Sequence, residues 1–435
     1  MYLTIHRGTH EIGGSCVELT TKNTRILIDI GLPLVDEEGQ SFDLGDYLKL
    51  SKAELVEKNI AKDIPGLYKE DYDNKPPDAI LISHPHPDHY GLLTFVKPQI
   101  PLYLGEGCLR LIKATYFFKG INPNLDTVEI IENKKYFSIG DFKITPYLVD
   151  HSGFDAYAFL VEVEGKRIFY SGDFRGHGKK SSLFDRFIEN PPKDIDFLIM
   201  EGTGIEGEDG DYDKEEKLRD NLGAIFKERK GMIFFACSSQ NIDRISSLYS
   251  ACRRSRRTLV LDPYTVYLLD ALKDISQGIP QFDFQDIRVF FTPDSNTRRL
   301  VDDKSLYKHT LYKYKYKESK ISYDEIKEKK NSLVVKLSYG IRKAFDRKGY
   351  IAGSTLIYSM WSGYLYNEEP FWDKYGIFPI HVHTSGHAGI TQLKEFAKAL
   401  NPVTIIPIHT LSPERFTEYF GREARMLSDG KLTKL

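Results

Sequence analysis

Residues 79–89 read Ala-Ile-Leu-Ile-Ser-His-Pro-His-Pro-Asp-His. Ala79 to Ser83 form a short apolar run of the kind that makes a buried strand. His84, His86, Asp88 and His89 then place three imidazoles and one carboxylate within six residues. A strand terminus is a rigid base, and the loop that follows it can turn several side chains inward. Neutral imidazole and carboxylate suit zinc, and also manganese or iron. Packing four such groups together without a metal costs desolvation and, at low pH, repulsion. The competing reading is a solvated polar loop enriched in histidine by chance. Isolated histidines elsewhere, such as His6, His10, His177 and His309, are read as ordinary.

Outward from this loop, apolar runs predict strands at 2–6, 16–20, 25–30, 101–104, 128–131, 142–149, 156–163 and 167–170, and another ending at Met200. Asp29 closes one of them, just before Gly31. Residues 35–75 are polar and read as loop plus helix. Strand–loop units with helices between them predict a layered α/β domain. After Glu201 the run Gly-Thr-Gly-Ile-Glu-Gly-Glu-Asp-Gly-Asp marks a boundary or exposed loop. Beyond it, a helix over 212–230, a strand at 232–236, a helix over 241–255 and a strand at 258–262 read as a parallel sheet unit. A further strand is expected at 354–360. The strand 378–383, a helix near 389–400 and the strand 403–409 close the pattern.

At 435 residues the chain is long for one ordinary domain, so two domains, or one with a large insertion, are expected. Hydrophobic residues make up 41% and charged residues 28%, which excludes a mostly disordered chain. The formal charge of -2 excludes a strongly basic nucleic-acid coat but not a local basic groove. Cys16, Cys108, Cys237 and Cys252 form no CxxC pair, so neither a zinc ribbon nor a disulfide framework is indicated. No signal peptide and no apolar run of about 20 residues is seen, so no membrane partner is expected and the cytoplasm is the default location.

The segment His84-Pro85-His86-Pro87-Asp88-His89 after a strand resembles the HxHxDH signature of the metallo-β-lactamase superfamily. Four further elements resemble that family's pattern, in order and each at the end of an apolar run. They are Asp29 in LIDIG, His151 in VDHSG, Asp173 in YSGDF and His409 in IPIHT. A second layer resembles the β-CASP ribonucleases, of the RNase J or archaeal cleavage-and-polyadenylation-factor type. Met200-Glu201-Gly202-Thr203 is similar to an acidic motif that commonly reads Glu-Ser-Thr. Val382-His383-Thr384-Ser385-Gly386-His387-Ala388 looks like that group's HxSGHA segment, and FFACSSQNIDRISSLYSACRRSRRTLVLD like the start of its cap. The sequence departs from the pattern at Gly202, at Thr384, and at Thr410-Leu411, where Gly-Glu is common. With the chain stopping at Leu435, no further C-terminal domain is expected.

The resemblance implies an α/β fold, an αββα metallo-β-lactamase sandwich with an inserted α/β β-CASP cap. Residues 1–204 and 376–435 would form the sandwich and 205–375 the cap. It also implies two divalent metal ions, zinc or alternatively manganese. His84, His86 and His151 would hold one, Asp88, His89 and His409 the other, and Asp173 would bridge them. Asp29 would hydrogen-bond the His-rich loop. The implied activity is metal-dependent hydrolysis of single-stranded RNA, endonucleolytic or 5′→3′ exonucleolytic, by a dimetal-activated hydroxide. Asp88, His387 and Glu201 are the candidate catalytic groups, with His387 beside the scissile phosphate and Glu201 orienting it. His383 and Ser385 are candidate phosphate contacts. Arg175 and His177 are read equally as substrate contacts or as loop structure. Residues 298–330 carry 11 Lys/Arg against six Asp/Glu, interleaved with Tyr307, Tyr312, Tyr314, Tyr316 and Tyr323. With the arginines at 253–257 they are candidate contacts for a single strand, or an ordinary charged face. The alternatives are another hydrolase on the same fold (a DNA nuclease, small phosphodiesterase or thioesterase) and a non-catalytic binding subunit. Whether two chains form a homodimer is left open.

Overall fold

Alternation within single strands sets the layers. In Arg25–Ile28, Ile26 and Ile28 join one buried cluster and Leu27 another. Successive side chains point to opposite faces, so this sheet is covered on both sides. The computed structural model describes all residues except 37, 38, 40–46, 123, 124, 126, 208–211, 293–296, 299–318, 366 and 367. It divides into one unit of residues 1–211 and 386–435 and a second of residues 212–385.

The first unit opens with β1 (Tyr2–Arg7), β2 (Cys16–Thr20), β3 (Arg25–Ile28), β4 (Ala79–Leu81), β5 (Leu102–Leu104) and β6 (Val128–Ile130), side by side in that order. The pairs β1–β2 and β2–β3 are antiparallel, and β3 to β6 run parallel. A second sheet follows from β7 (Phe137–Ile139), β8 (Phe142–Val149), β9 (Ala156–Val163), β10 (Lys166–Tyr170) and β11 (Phe197–Glu201). It is antiparallel from β7 to β10 and parallel from β10 to β11.

The second unit holds β12 (Ile233–Ala236), β13 (Thr258–Leu261), β14 (Ile287–Val289), β15 (Leu333–Lys336), β16 (Thr355–Tyr358) and β17 (Ile380–His381). They form one parallel sheet in the order β14-β13-β15-β12-β16-β17. The chain then returns to the first unit, where β18 (Thr404–Ile408) pairs parallel with β11 and β19 (Thr433–Lys434) pairs antiparallel with β1. The second unit extends past 375 to Ser385 because β17 pairs with β16 of its own sheet.

Three buried layers make the first unit an αββα sandwich. Between the sheets, Leu3, Val17, Ile28 and Leu81 pack with Phe159, Ile168, Ile199 and Ile406. Outside the first sheet, Leu27, Ile80 and Leu104 meet Cys108, Ile112 and Tyr116 of the helix Glu106–Lys119. That helix stops at Gly120, whose left-handed φ of 70° closes its end. Outside the second sheet, Leu160, Phe169, Leu198 and Met200 meet Phe187 of Ser181–Glu189 and Phe396 of Ile390–Leu400. No described helix is long and apolar enough to cross a membrane.

Candidate metal centre

Strand ends deliver the predicted residues. β3 stops at Ile28 because Asp29 turns the chain with a φ of 61°. Gly31 then lets the chain pass the His-rich loop, since a Cβ there would lie 1.7 Å from the Asp88 carbonyl oxygen. β4 ends two residues before Ser83, and His86 caps the short helix Pro87–Tyr90, which carries Asp88 and His89. His151 follows β8, Asp173 follows β10, Glu201 ends β11 and His409 follows β18.

The side chains converge in two connected groups. His86 Nδ1 lies 3.1 Å from His84 Nε2 and 3.1 Å from His151 Nε2. In the second group His409 Nε2 is 3.2 Å from Asp88 Oδ2, and His89 Nε2 is 3.8 Å from the same oxygen. Asp173 Oδ2 stands between the groups, 3.2 Å from His89 Nε2, 3.6 Å from His84 Nε2, and 3.9 Å from both His151 Nε2 and His409 Nε2.

These contacts fit a divalent cation. Two nitrogens each about 2.0–2.1 Å from a tetrahedral zinc stand roughly 3.3 Å apart. His89 Nε2 and Asp173 Oδ2 are buried with no hydrogen-bond partner among the described residues. Orphaned buried polar atoms are costly, and a cation removes that cost for both. The donor set is imidazole and carboxylate throughout.

The far side of three of the rings is fixed as well. Asp29 accepts from the Ser83 amide at 2.7 Å, the Ser83 hydroxyl at 2.8 Å, His89 Nδ1 at 2.8 Å and the Tyr170 hydroxyl at 2.7 Å. His151 Nδ1 donates to the Gly386 carbonyl at 2.7 Å, and Thr203 Oγ1 meets His409 Nδ1 at 2.8 Å. Each contact leaves an Nε2 lone pair turned toward the cluster. Sequence reasoning missed Tyr170 and Thr203 as supports, although both lie inside the segments that drew attention.

Burial, then the neighbouring His89 and His151, holds His84 well below the usual histidine range. Burial pushes His86 down to about 4, and burial with His86 beside it holds His151 well below the usual histidine range. Burial alone would raise Asp88, but His89 and His409 hold it at about 2. Burial would likewise raise Asp173, and His409, His89 and His387 hold it well below the usual carboxylate range. At neutral pH the first group therefore offers uncharged imidazoles, and Asp88 and Asp173 are carboxylates. Burial would lower His89, but Asp173, Asp29 and Asp88 hold it well above the usual histidine range.

Glu201 is buried, accepting from the Phe174 amide at 2.8 Å and meeting His387 Nδ1 at 2.9 Å. His387 Nδ1 is also 3.7 Å from Asp173 Oδ2. Burial would lower His387, but Glu201 and Asp173 push it up to about 9. Two departures from the family pattern explain each other. A Cβ at Gly202 would lie 2.6 Å from the Phe416 ring and 3.0 Å from Thr410 Cβ. The larger side chain sits at 410, where the pattern has glycine, and the glycine sits at 202, where the pattern has serine.

Other candidates are placed elsewhere. Arg175 and His177 are buried, Arg175 Nε 3.4 Å from Asp150 Oδ1 and His177 Nδ1 3.1 Å from Gln392 Oε1, so they build their loop. His383 and Ser385 belong to the second unit. Burial, then Arg244, pushes His383 down to about 3, so it would meet a phosphate as a neutral ring. Arg257 is buried and donates to the carbonyls of Phe226 and Gly231, while Arg254 pairs with Asp220. Tyr307, Tyr312, Tyr314 and Tyr316 lie outside the described residues, and Tyr323 packs 5.1 Å from Phe290 in the second unit's core.

Residues 59–237 match the beta-lactamase superfamily domain, and residues 377–424 match the Zn-dependent metallo-hydrolase RNA specificity domain. Ribonuclease J of Helicobacter pylori is 23% identical over 416 residues, covering 92% of this chain and 55% of that one. An RNase J-like protein of Methanocaldococcus jannaschii is 28% identical over 212 residues, 46% of this chain and 42% of that one. A crystal structure of a protein of unknown function from Enterococcus faecalis V583 superposes with a TM-score of 0.78 at 22% identity, covering 100% of this chain and 99% of that one. The chain spans about half the length of the Helicobacter relative. The sandwich and its His/Asp cluster define a metallo-β-lactamase-fold protein with a divalent-metal site. Within that superfamily the two domain matches and the ribonuclease J relatives support the RNase J-like β-CASP group.

Proposed function

We propose that the chain is a metal-dependent ribonuclease that hydrolyses phosphodiester bonds of single-stranded RNA. The observation that carries this is the Glu201–His387 pair beside Asp173, at the rim of a cluster able to hold two cations. His84, His86 and His151 would hold one ion, and Asp88, His89 and His409 the other, with Asp173 shared. Zinc is the first choice and manganese the second. Bound there, the ions would supply Lewis acidity and lower the pKa of a water from 15.7 toward about 7.

The protein's own groups do the rest. Asp29, Thr203 and the Gly386 carbonyl hold the rings in the tautomer that keeps Nε2 lone pairs inward. Glu201 keeps His387 protonated, so the ring can stabilise charge growing on the phosphate. A water oxygen bonds to phosphorus as the P–O3′ bond breaks, the water's proton passes to solvent, and His387 gives its proton to the departing 3′ oxygen. The products carry a 5′-phosphate and a 3′-hydroxyl. His383 and Ser385 are proposed as phosphate contacts in the cap.

The test is cleavage of a 5′-labelled single-stranded RNA with added zinc or manganese, resolved at nucleotide length. Asp173→Ala should lose both cleavage and metal. His387→Ala should keep its metal and lose roughly 10²–10⁴-fold in rate. Cleavage by Asp173→Ala would sink the dimetal reading. Intact metal content without RNA cleavage would move the assignment to another phosphoester or an acyl substrate.

A further inference from the structure

Three neighbouring parallel strands of the second unit, β15, β12 and β16, end at one cavity of about 250 Å³. Connections leave β12 and β15 in opposite directions, toward β13 and β16 respectively. Open α/β sheets bind ligands outside the carboxyl ends of strands, where connections diverge. The volume is just below the roughly 300–1,000 Å³ of drug-sized pockets, which suits a single nucleoside-sized group.

Three features indicate what fits. The wall includes Tyr358, which is 1% exposed and whose buried hydroxyl has no hydrogen-bond partner among the described residues. The rim is aromatic and open to solvent. Tyr339 is 70% exposed and Tyr364 51%, and Trp361, 63% exposed, packs edge-on 5.2 Å from Tyr364. The charge is already balanced, since Arg342 pairs with Glu368 and lies 4.8 Å from the centre of the Phe371 ring. A lone phosphate therefore gains little here. A flat ring with polar edges gains both stacking and hydrogen bonds.

We propose that this cavity holds one unpaired nucleobase of the substrate, stacked on Tyr339 and Tyr364 with its edge hydrogen-bonded to Tyr358 and Glu368. The assignment rests on the ribonuclease reading. Glu368, as a carboxylate, only accepts hydrogen bonds, so it favours guanine, whose Watson–Crick edge presents adjacent N–H donors.

The chain's two tryptophans both report on this place, Trp372 in the wall and Trp361 at the rim. Guanosine 5′-monophosphate is titrated into the full chain in chelator, with tryptophan emission as the readout. Saturable quenching is expected, and ribose 5-phosphate should cause none. Tyr339→Ala should weaken binding roughly 5- to 150-fold, the range for loss of one stacking partner. Tyr358→Phe should weaken it roughly 2- to 12-fold without lowering thermal stability, since it removes an unsatisfied buried hydroxyl. Absent quenching, equal quenching in both variants, or equal displacement by ribose 5-phosphate would overturn the proposal. The readout needs no cleavage. RNA cleavage without quenching sinks this inference alone, and quenching without cleavage sinks the ribonuclease reading alone.

Discussion

Asp29→Asn isolates what a single buried carboxylate does for the metal centre. The substitution keeps size and shape, and asparagine tolerates the left-handed φ of 61° at this position. Its Oδ1 can still accept from the Ser83 amide, 2.7 Å away. Its NH₂ then replaces Oδ2 and faces three donors, the Ser83 hydroxyl, the Tyr170 hydroxyl and His89 Nδ1. Both hydroxyls can rotate and accept instead. The imidazole cannot rotate. It relieves the conflict by moving its proton to Nε2, which faces Asp173 at 3.2 Å and Asp88 at 3.8 Å. An Nε2–H is no longer a metal ligand. Loss of such a support lowers metal affinity about 10- to 100-fold, which is roughly 1.4–2.7 kcal/mol. Competition for zinc with a chromophoric chelator measures this directly, with circular dichroism confirming the fold. Wild-type affinity in a folded Asp29→Asn protein would refute the tautomer argument.

Two further predictions concern the second unit. Buried Arg244 donates to Glu215 at 2.9 and 3.3 Å, to the Ser359 carbonyl at 3.0 Å and to the Thr384 carbonyl at 3.1 Å. Arg244→Met should therefore cost about 3–5 kcal/mol in urea unfolding, and adding Glu215→Leu should restore most of it. An Arg244→Met protein as stable as wild type would show that the network holds nothing. The second prediction is an acid effect. His383 is pushed down to about 3 in the folded chain against an ordinary value near 6.5. The unfolded chain thus binds the extra proton, and stability should fall as pH drops from 6.5 toward 3. His383→Gln should flatten the pH dependence of stability over that window, and an unchanged slope would contradict it.

How much of this was legible depends on what each residue does with its neighbours. The loop 84–89 announces itself because its four donors fall within six residues and follow an apolar run. β2, β8 and β9 match their expected ranges because alternation or a continuous apolar run is unbroken there. β15 escaped because Leu333-Val334-Val335 is short and flanked by lysine-rich sequence, although all three are fully buried. The expected strand 378–383 shrinks to Ile380–His381, since its partner β16 ends at Tyr358 and offers only that register. The arginines at 253–257 looked like one basic patch, but Arg257 turns inward to cap carbonyls. Sequence spacing does not separate a buried arginine from an exposed one.

The supports of the site were harder to read than its ligands, and for one physical reason. A ligand must be an imidazole or carboxylate, so residue type narrows the search. A support need only accept a proton from the far ring nitrogen, and that acceptor takes several forms here. His89 uses the carboxylate of Asp29, His409 the hydroxyl of Thr203, and His151 the backbone carbonyl of Gly386. A backbone carbonyl has no sequence signature at all. Yet each of the three acceptors imposes the same outcome, an Nε2 lone pair directed inward. Two of these rings are set by residues more than 200 positions away, Thr203 for His409 and Gly386 for His151. The ligand set can therefore be read locally, while the tautomers that make it competent exist only once the first unit has closed.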